Sequence, residues 1–241
     1  PLNRPDALPG LAALRGGQPS HEILSLLDYR QRHAAYRADP DLQALHARLP
    51  MIVLWDDHET ANNTWRGGAS AHDAAAEGDW TARLGAGLFT FHEWLPTAET
   101  WWTSYRIGDL ASLLCLETRL AGRDRQLDEE LDAVLAADGR DLRGRLDAFA
   151  RGPLADANRS MLGAPQERWL AEGLSASVKR GAAWQILAQQ VIMGQTLFPR
   201  PHAGWFAPNA PEAAAILAEL ASRTVMTEAG VPYAMDKWDG Y

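Results

Sequence analysis

The sequence predicts a fold of the α/β class, in which helices pack against a sheet. Short apolar runs typical of buried strands occur at residues 51–55, 111–116 and 183–192. The segments between these runs carry apolar residues at helical spacing, which indicates amphipathic helices. With 241 residues, the chain is long enough for one large domain. We therefore interpret residues 1–241 as a single domain.

Composition and charge narrow the possible partners. The formal net charge is −8, with acidic and basic residues interspersed, which argues against nucleic acid or an anionic membrane surface as the main partner.

No apolar run reaches 18 residues, so we predict no transmembrane segment. Cys115 is the only cysteine, which excludes a disulfide within the chain. Because the chain begins with Pro1 and an irregular stretch, we expect an internal part of a longer protein.

A pair of helices precedes the first apolar run. The spacing of apolar residues predicts a helix from about His21 to Arg37, with Leu24 on its buried face. Asp39 and Pro40 are suited to the N-cap and the first position of a second helix, in which Leu45 should be buried. We expect this helical pair to lead the chain into the run at 51–55.

The apolar runs predict a sheet. Residues 51–55 carry no polar side chain, as in a strand covered on both faces. Residues 101–106 alternate in polarity, and a short turn separates them from 111–116, which predicts a hairpin. We expect Val53, Leu114 and Ile186 to be buried.

Longer segments connect these strands. Helices are predicted near 80–94, from 165 onward and at 213–220, and residues 199–211 are interpreted as a loop because they hold four prolines. Charges and leucines interleave over 120–160, which indicates a solvated helical insertion.

Polar residues with catalytic chemistry directly follow the first predicted strand. They are three carboxylates, an imidazole and two amides: Asp56, Asp57, Glu59, His58, Asn62 and Asn63. In open α/β sheets, ligand sites lie beyond the carboxyl ends of the strands. Oxygen ligands of this kind suit Ca²⁺, Mg²⁺, Mn²⁺ or ferric iron, and the histidine can serve as a ligand or as a proton donor.

Other interpretations of this acidic loop remain open. Asp56 or Asp57 could cap a helix, since a carboxylate accepts hydrogen bonds from free backbone N–H groups. A hydrolase that uses a carboxylate–histidine pair without a metal is another alternative. Adjacent carboxylates repel each other unless a cation or a hydrogen-bond network holds them, which favours a site over a simple cap.

The chain also resembles a known family. Trp-Asp-Asp-His-Glu at 55–59, followed by Asn62 and Asn63, is similar to the signature of PhoD-type alkaline phosphatases and phosphodiesterases, which belong to the calcineurin-like metallophosphatases. Further similar segments occur at 26–46, 161–170, 189–190 and 235–241. Glu117-Thr-Arg stands where the family usually has Asp-Thr-Arg.

The resemblance implies an α-β-β-α sandwich, incomplete here and carrying helical insertions. In the family, a metal site is assembled from a Gly-Asp-x-x-Tyr loop, the acidic loop and a late Gly-Asp-x-His loop. Only the acidic loop occurs in this sequence. We therefore expect the full-length protein to be an enzyme and this chain to be inactive or very weak by itself. A non-catalytic remnant of the same fold is the alternative.

The resemblance also implies residue roles. Asp57 and Asp56 would bind metal, His58 would protonate the leaving oxygen or steady the phosphoryl group, and Asn62 and Asn63 would contact substrate. The implied metals are Ca²⁺ and Fe³⁺, with Mn²⁺, Mg²⁺ or Zn²⁺ as alternatives. The implied substrates are phosphate mono- or diesters, including phospholipids, as for a phospholipase D-like enzyme. Family members are exported, so we expect a periplasmic or secreted protein, and we expect a monomer.

Overall fold

The structure, a computed structural model, describes residues 19–137, 141–196, 198 and 213–241. The loop predicted at 199–211 and the irregular stretch at the start of the chain lie outside these residues. The described helices are α1 Leu26–Arg37, α2 Pro40–Arg48, α3 Ala74–Glu77, α4 Trp80–Trp94, α5 Asp128–Ala136, α6 Leu142–Arg151, α7 Gly163–Lys179 and α8 Ala213–Glu228. The strands are β1 Thr64–Trp65, β2 Gly68–Ala69, β3 Thr103–Ile107, β4 Ala111–Cys115 and β5 Trp184–Ala188.

The first two helices form as expected but begin and pack differently. Helix α1 begins at Leu26 because Ser25 and Asp28 form a capping box, in which each side chain accepts a hydrogen bond from the other residue's backbone N–H. Asp39 caps α2, and Pro40 is its first residue, as predicted. No residue of α2 is buried. Leu45 is 42% exposed, so the prediction that it is buried was wrong.

The main sheet has the order β3–β4–β5. Strands β3 and β4 form the predicted antiparallel hairpin, and Gly108 adopts φ +53° in its turn, a conformation that glycine accepts without strain. Strand β5 pairs with β4 in parallel after a long connection through α5, α6 and α7. The carboxyl ends of β4 and β5 therefore lie at the same edge of the sheet.

The two faces of this sheet differ. Helix α7 covers one face, where Ser177 donates a 2.7 Å hydrogen bond to Ser112 and Leu114 is 1% exposed, which confirms the prediction for Leu114. In the described part of the chain, the opposite face is exposed around Tyr105 and Ile186. Ile186 is 44% exposed there and Tyr105 is 40% exposed, so the prediction that Ile186 is buried was wrong. An apolar strand residue is buried only where another element covers it.

The segment 51–55 is not a strand. It has no regular secondary structure, and Met51 and Ile52 are about half exposed, although Trp55 is buried and Val53 is partly buried. No backbone group within the described ranges pairs with this segment. The prediction failed because a strand requires a hydrogen-bonded neighbour, which an apolar run alone does not guarantee.

Two apolar clusters hold the described part of the chain together. The first lies around α4 and contains Trp55, Trp80, Phe91 and Leu120. The second lies in the helical insertion and joins α5, α6, α8 and the segment near Met235. The helices predicted over 120–160 are therefore present, but they enclose a core of their own. Among the described helices, none is long and apolar enough to cross a membrane.

Candidate functional site

The acidic loop is organised by its own carboxylates. Residues Asp57–Glu59 form a single 3₁₀ turn, and Asp56 donates its backbone N–H to Glu59 Oε2 at 2.8 Å. The pKa of Glu59 is raised, mainly because its carboxyl is buried. This carboxyl therefore has a structural role within the loop, although the capping interpretation concerned Asp56 and Asp57 and not Glu59.

Asp57 closes the loop. Its Oδ1 accepts a hydrogen bond from the backbone N–H of His58 at 2.9 Å, and its Oδ2 accepts one from that of Asn63 at 2.8 Å. Asn63 has φ +54°, a left-handed conformation that asparagine tolerates better than most residues. Asp57 is buried, and the loop folds around its carboxylate.

His58 lies on the surface of this loop. Its side chain is exposed, and Nε2 lies 2.9 Å from Asn62 Oδ1. The amide oxygen of Asn62 accepts a hydrogen bond from the imidazole, which fixes the ring's orientation. The structure thus brings His58 and Asn62 into contact, whereas Asn63 donates its backbone N–H to Asp57.

A buried arginine lies between the carboxylates. Arg119 is 5% exposed, and its Nε donates a 2.6 Å hydrogen bond to Asp56 Oδ1. Its Nη2 lies 3.6 Å from Asp57 Oδ1, and its Nη1 lies 4.0 Å from Asp236 Oδ2. Nη1 has no hydrogen-bond partner among the described residues. Arg119 therefore offsets the repulsion between the adjacent carboxylates.

Sequence reasoning missed the role of Arg119. Arg66, nine positions after Asp57 in the sequence, pairs with Asp124 instead. Arg119 lies 63 positions from Asp56 in the sequence. The available signal was its position four residues after β4, since ligand sites in α/β folds lie beyond the carboxyl ends of strands.

The loop that carries Arg119 is held rigidly. The buried carboxylate of Glu117 accepts backbone N–H groups from Arg119 at 2.7 Å, from Leu120 at 2.9 Å and from Ala121 at 2.6 Å. Burial raises the pKa of Glu117. The fully buried amide of Gln166 bonds both the N–H and the C=O of Glu117, each at 2.8 Å. Glutamate thus organises this turn where the similar family usually has aspartate.

Gln190 joins the end of β4 to the segment that precedes the acidic loop. Its Oε1 accepts a 2.6 Å hydrogen bond from the Thr118 hydroxyl, and its Nε2 donates to the carbonyls of Trp55 and Leu116 at 2.5 and 3.2 Å. Gln189 accepts from the indole N–H of Trp238 at 3.2 Å. Both glutamines therefore act as hydrogen-bonding clamps between loops.

The last residues of the chain reach the same place. Arg123 is fully buried and donates to the carbonyls of Thr118 at 2.9 Å and Asp236 at 2.8 Å. Tyr241 donates to the carbonyl of Asp124 at 2.6 Å. The similar segments at 55–63, 117–119, 189–190 and 235–241 thus converge at one edge of the sheet.

The donor set fits a hard cation only in part. Asp56 and Asp57 offer carboxylate oxygens, and the Asp56 side chain is 43% exposed. In the part of the chain that the structure describes, no group of three His, Cys, Asp or Glu side chains could hold a metal ion. These two carboxylates therefore could supply some ligands of a metal, but not a complete coordination shell.

The described residues form a mixed α/β fold, with polar loops gathered beyond the carboxyl ends of β4 and β5. Comparison with known proteins gives the family: the chain belongs to the PhoD-like phosphatases, whose family model matches residues 7–241. This confirms the resemblance drawn from the sequence.

Two relatives give the extent of the match. Alkaline phosphatase D of Bacillus subtilis (strain 168) is 29% identical over 235 residues, which cover 92% of this chain and 31% of that protein. A solved structure described as the structure of PhoD is 29% identical and superposes with a TM-score of 0.61, covering 92% of this chain and 35% of that one. The chain thus spans about a third of the length of these relatives.

Proposed function

We propose that the full-length protein is a metal-dependent phosphoesterase and that residues 55–63 form part of its active site. The observation that carries this proposal is the exposed imidazole of His58, oriented by Asn62 at 2.9 Å, on a loop that also holds Asp56 and Asp57. Membership of the PhoD-like phosphatase family supports the reaction class. The substrates are phosphate mono- or diesters, phospholipids among them.

The proposed roles follow the contacts within the loop. His58 donates a proton to the leaving oxygen, because it is exposed and its ring is fixed by Asn62. Asp56 and Asp57 would each supply a carboxylate to a hard cation, with Ca²⁺ and Fe³⁺ implied by the family resemblance. Such an ion would polarise the phosphoryl oxygens and lower the pKa of a bound water. Arg119 holds both carboxylates in place and keeps them from separating.

The proposal includes a second sheet that covers the open face of the first. Leu113 aligns with Tyr105 on one side and Ile186 on the other, and Trp184 is 64% exposed on the same face. A cavity of about 270 Å³, lined by residues of the 53–55 segment, α4 and β3, adjoins this face. Exposed apolar area of this extent favours burial against another layer, as in the α-β-β-α sandwich.

Activity of the full-length protein tests this function. We expect hydrolysis of a chromogenic phosphodiester that chelation abolishes and that added Ca²⁺ with Fe³⁺ restores, and we expect the chain of residues 1–241 to be inactive by itself. A full-length protein that hydrolyses no phosphate ester with any of Ca²⁺, Fe³⁺, Mn²⁺, Mg²⁺ or Zn²⁺ would favour the non-catalytic alternative. A periplasmic or secreted location and a monomeric state belong to the same proposal.

A further inference from the structure

Helix α4 supports the acidic loop from behind with one stripe of residues. Arg83, Gly87 and Phe91 are spaced four apart and so share a helix face. Phe91 packs edge-on against Trp55, with ring centroids 5.3 Å apart. A Cβ at Gly87 would come within 3.1 Å of the carbonyl oxygen of Glu59, so the helix meets the loop at close range.

Tyr29 of α1 joins this stripe to the loop backbone. Its hydroxyl donates a 2.9 Å hydrogen bond to the carbonyl of Thr60 and accepts one from Arg83 Nε at 3.3 Å. Burial raises the pKa of Tyr29, so the hydroxyl remains a donor at neutral pH. The N–H of Thr60 in turn donates to the carbonyl of Asp57 at 2.9 Å and closes the turn that carries His58.

Arg83 is itself fixed on several sides. It is 3% exposed, and its guanidinium donates to Glu22 at 2.5 Å and to Glu77 at 2.8 Å. The ring Nδ1 of His72 lies 3.3 Å from Nη1, and Nη2 reaches the carbonyl of Thr60 at 3.5 Å. This network leaves the Tyr29 hydroxyl little freedom to move away from Thr60.

We propose that Tyr29 and Arg83 are positioning residues for the acidic loop, fixing the Thr60 carbonyl and, through the Asp57–Thr60 turn, the place of the His58 imidazole. This inference rests on the proposed function for the role of His58. The expected effect on the rate is geometric, since displacement of a reacting group by about 1 Å can reduce a rate by a factor of about 10². Neither residue touches the surface on which substrate would bind, since both are buried.

The test compares two links between the same helices. Tyr29→Phe in the full-length protein deletes only the hydroxyl that bonds Thr60. Arg30→Met is the matched control, because Arg30 joins α1 to Glu93 of α4 at 2.7 and 2.8 Å without contacting the loop. Arg83→Lys keeps the charge but not the fork of donors.

Two readouts separate positioning from general stability. We expect Tyr29→Phe to lower kcat about tenfold or more with KM changed less than about twofold, and Arg83→Lys to do the same more weakly. In protein labelled with ¹³C at histidine Cε1, the NMR signal of His58, assigned by its loss in His58→Ala, should shift in Tyr29→Phe. Arg30→Met should leave kcat and this signal unchanged.

The outcomes distinguish the two proposals. Equal kcat losses in Tyr29→Phe and Arg30→Met, or an unshifted His58 signal in Tyr29→Phe, would overturn the positioning role. A His58 signal that shifts in Tyr29→Phe but not in Arg30→Met, in a protein that hydrolyses no phosphate ester, would support positioning and refute the phosphoesterase.

Discussion

Two buried arginines contact the acidic loop, one from α4 and one from the segment after β4, and their surroundings differ. On the side of α4, Arg83 is surrounded by Tyr29, Glu22, Glu77 and His72. On the side of β4, Arg119 bonds Asp56, while its Nη1 has no hydrogen-bond partner in the described ranges. A saturated arginine is suited to fixing structure. Arg119 lies among carboxylates and keeps an unused donor, as in a site that binds an ionic ligand. Substitutions near Arg119 should therefore reduce activity more than substitutions near Arg83.

The largest expected effect is at Asp57, whose carboxylate accepts two backbone N–H groups of the loop and lies 3.6 Å from Arg119. Asp57→Ala should abolish phosphoester hydrolysis and reduce bound metal, because it removes the proposed metal ligand and the acceptor of two backbone N–H groups. Asp57→Asn should be milder, since an amide oxygen still accepts a hydrogen bond and can coordinate a cation. Elemental analysis gives the bound metal, and an assay with a chromogenic phosphodiester gives the activity. Asp73→Ala is the control, because it removes only a helix cap. Full activity and metal in Asp57→Ala would show that this loop is structural.

The two arginines should respond differently to cations. Arg83→Met and Arg119→Met should each lower the free energy of unfolding by about 2–4 kcal/mol, because each leaves buried or half-buried carboxylates unpaired. Added Ca²⁺ should restore stability in Arg119→Met, where the carboxylates are adjacent, and not in Arg83→Met. Urea unfolding with and without Ca²⁺ measures both. Equal restoration in the two variants would remove the distinction between the arginines.

The smallest expected effect lies at the start of α1, whose Tyr29 supports the loop. Hydrogen bonds from Ser25 and Leu24 outweigh burial and lower the pKa of Asp28 to about 2, from its ordinary 3.8. A depressed carboxyl pKa gives stability that is present above pH 3.8 and is lost as the pH falls toward 2. We expect this contribution to be about 1–2 kcal/mol, the size of a helix cap. Thermal unfolding between pH 5 and 2.5 should show a smaller decrease in Asp28→Asn than in the unchanged protein; equal decreases would refute this.

What the sequence could predict was local. Capping and periodicity predicted α1, α2, α4 and the β3–β4 hairpin, and the acidic run predicted the place of the candidate site. Burial of Leu45 and Ile186 failed because it depends on which element covers them. The strand at 51–55 failed because pairing depends on a neighbour.

The contacts that position the site were beyond sequence reasoning for the same reason. Arg119 meets Asp56 across 63 positions, and Tyr29 meets Thr60 across 31. Each pairing follows from how the elements pack, and no local pattern at either residue marks its partner. The choice of His58, in contrast, required only its place in the acidic loop, and its role remains a prediction.

The most direct measurement of the central claim is His58→Ala in the full-length protein. Turnover of a chromogenic phosphodiester should fall by a factor of about 10²–10⁴, the effect typical of a positioned proton donor, while metal content stays unchanged. Asn62→Ala should lose less, since it removes only the partner that orients the ring. Unchanged turnover in His58→Ala would contradict the account, and loss of metal would make His58 a ligand instead of the proton donor.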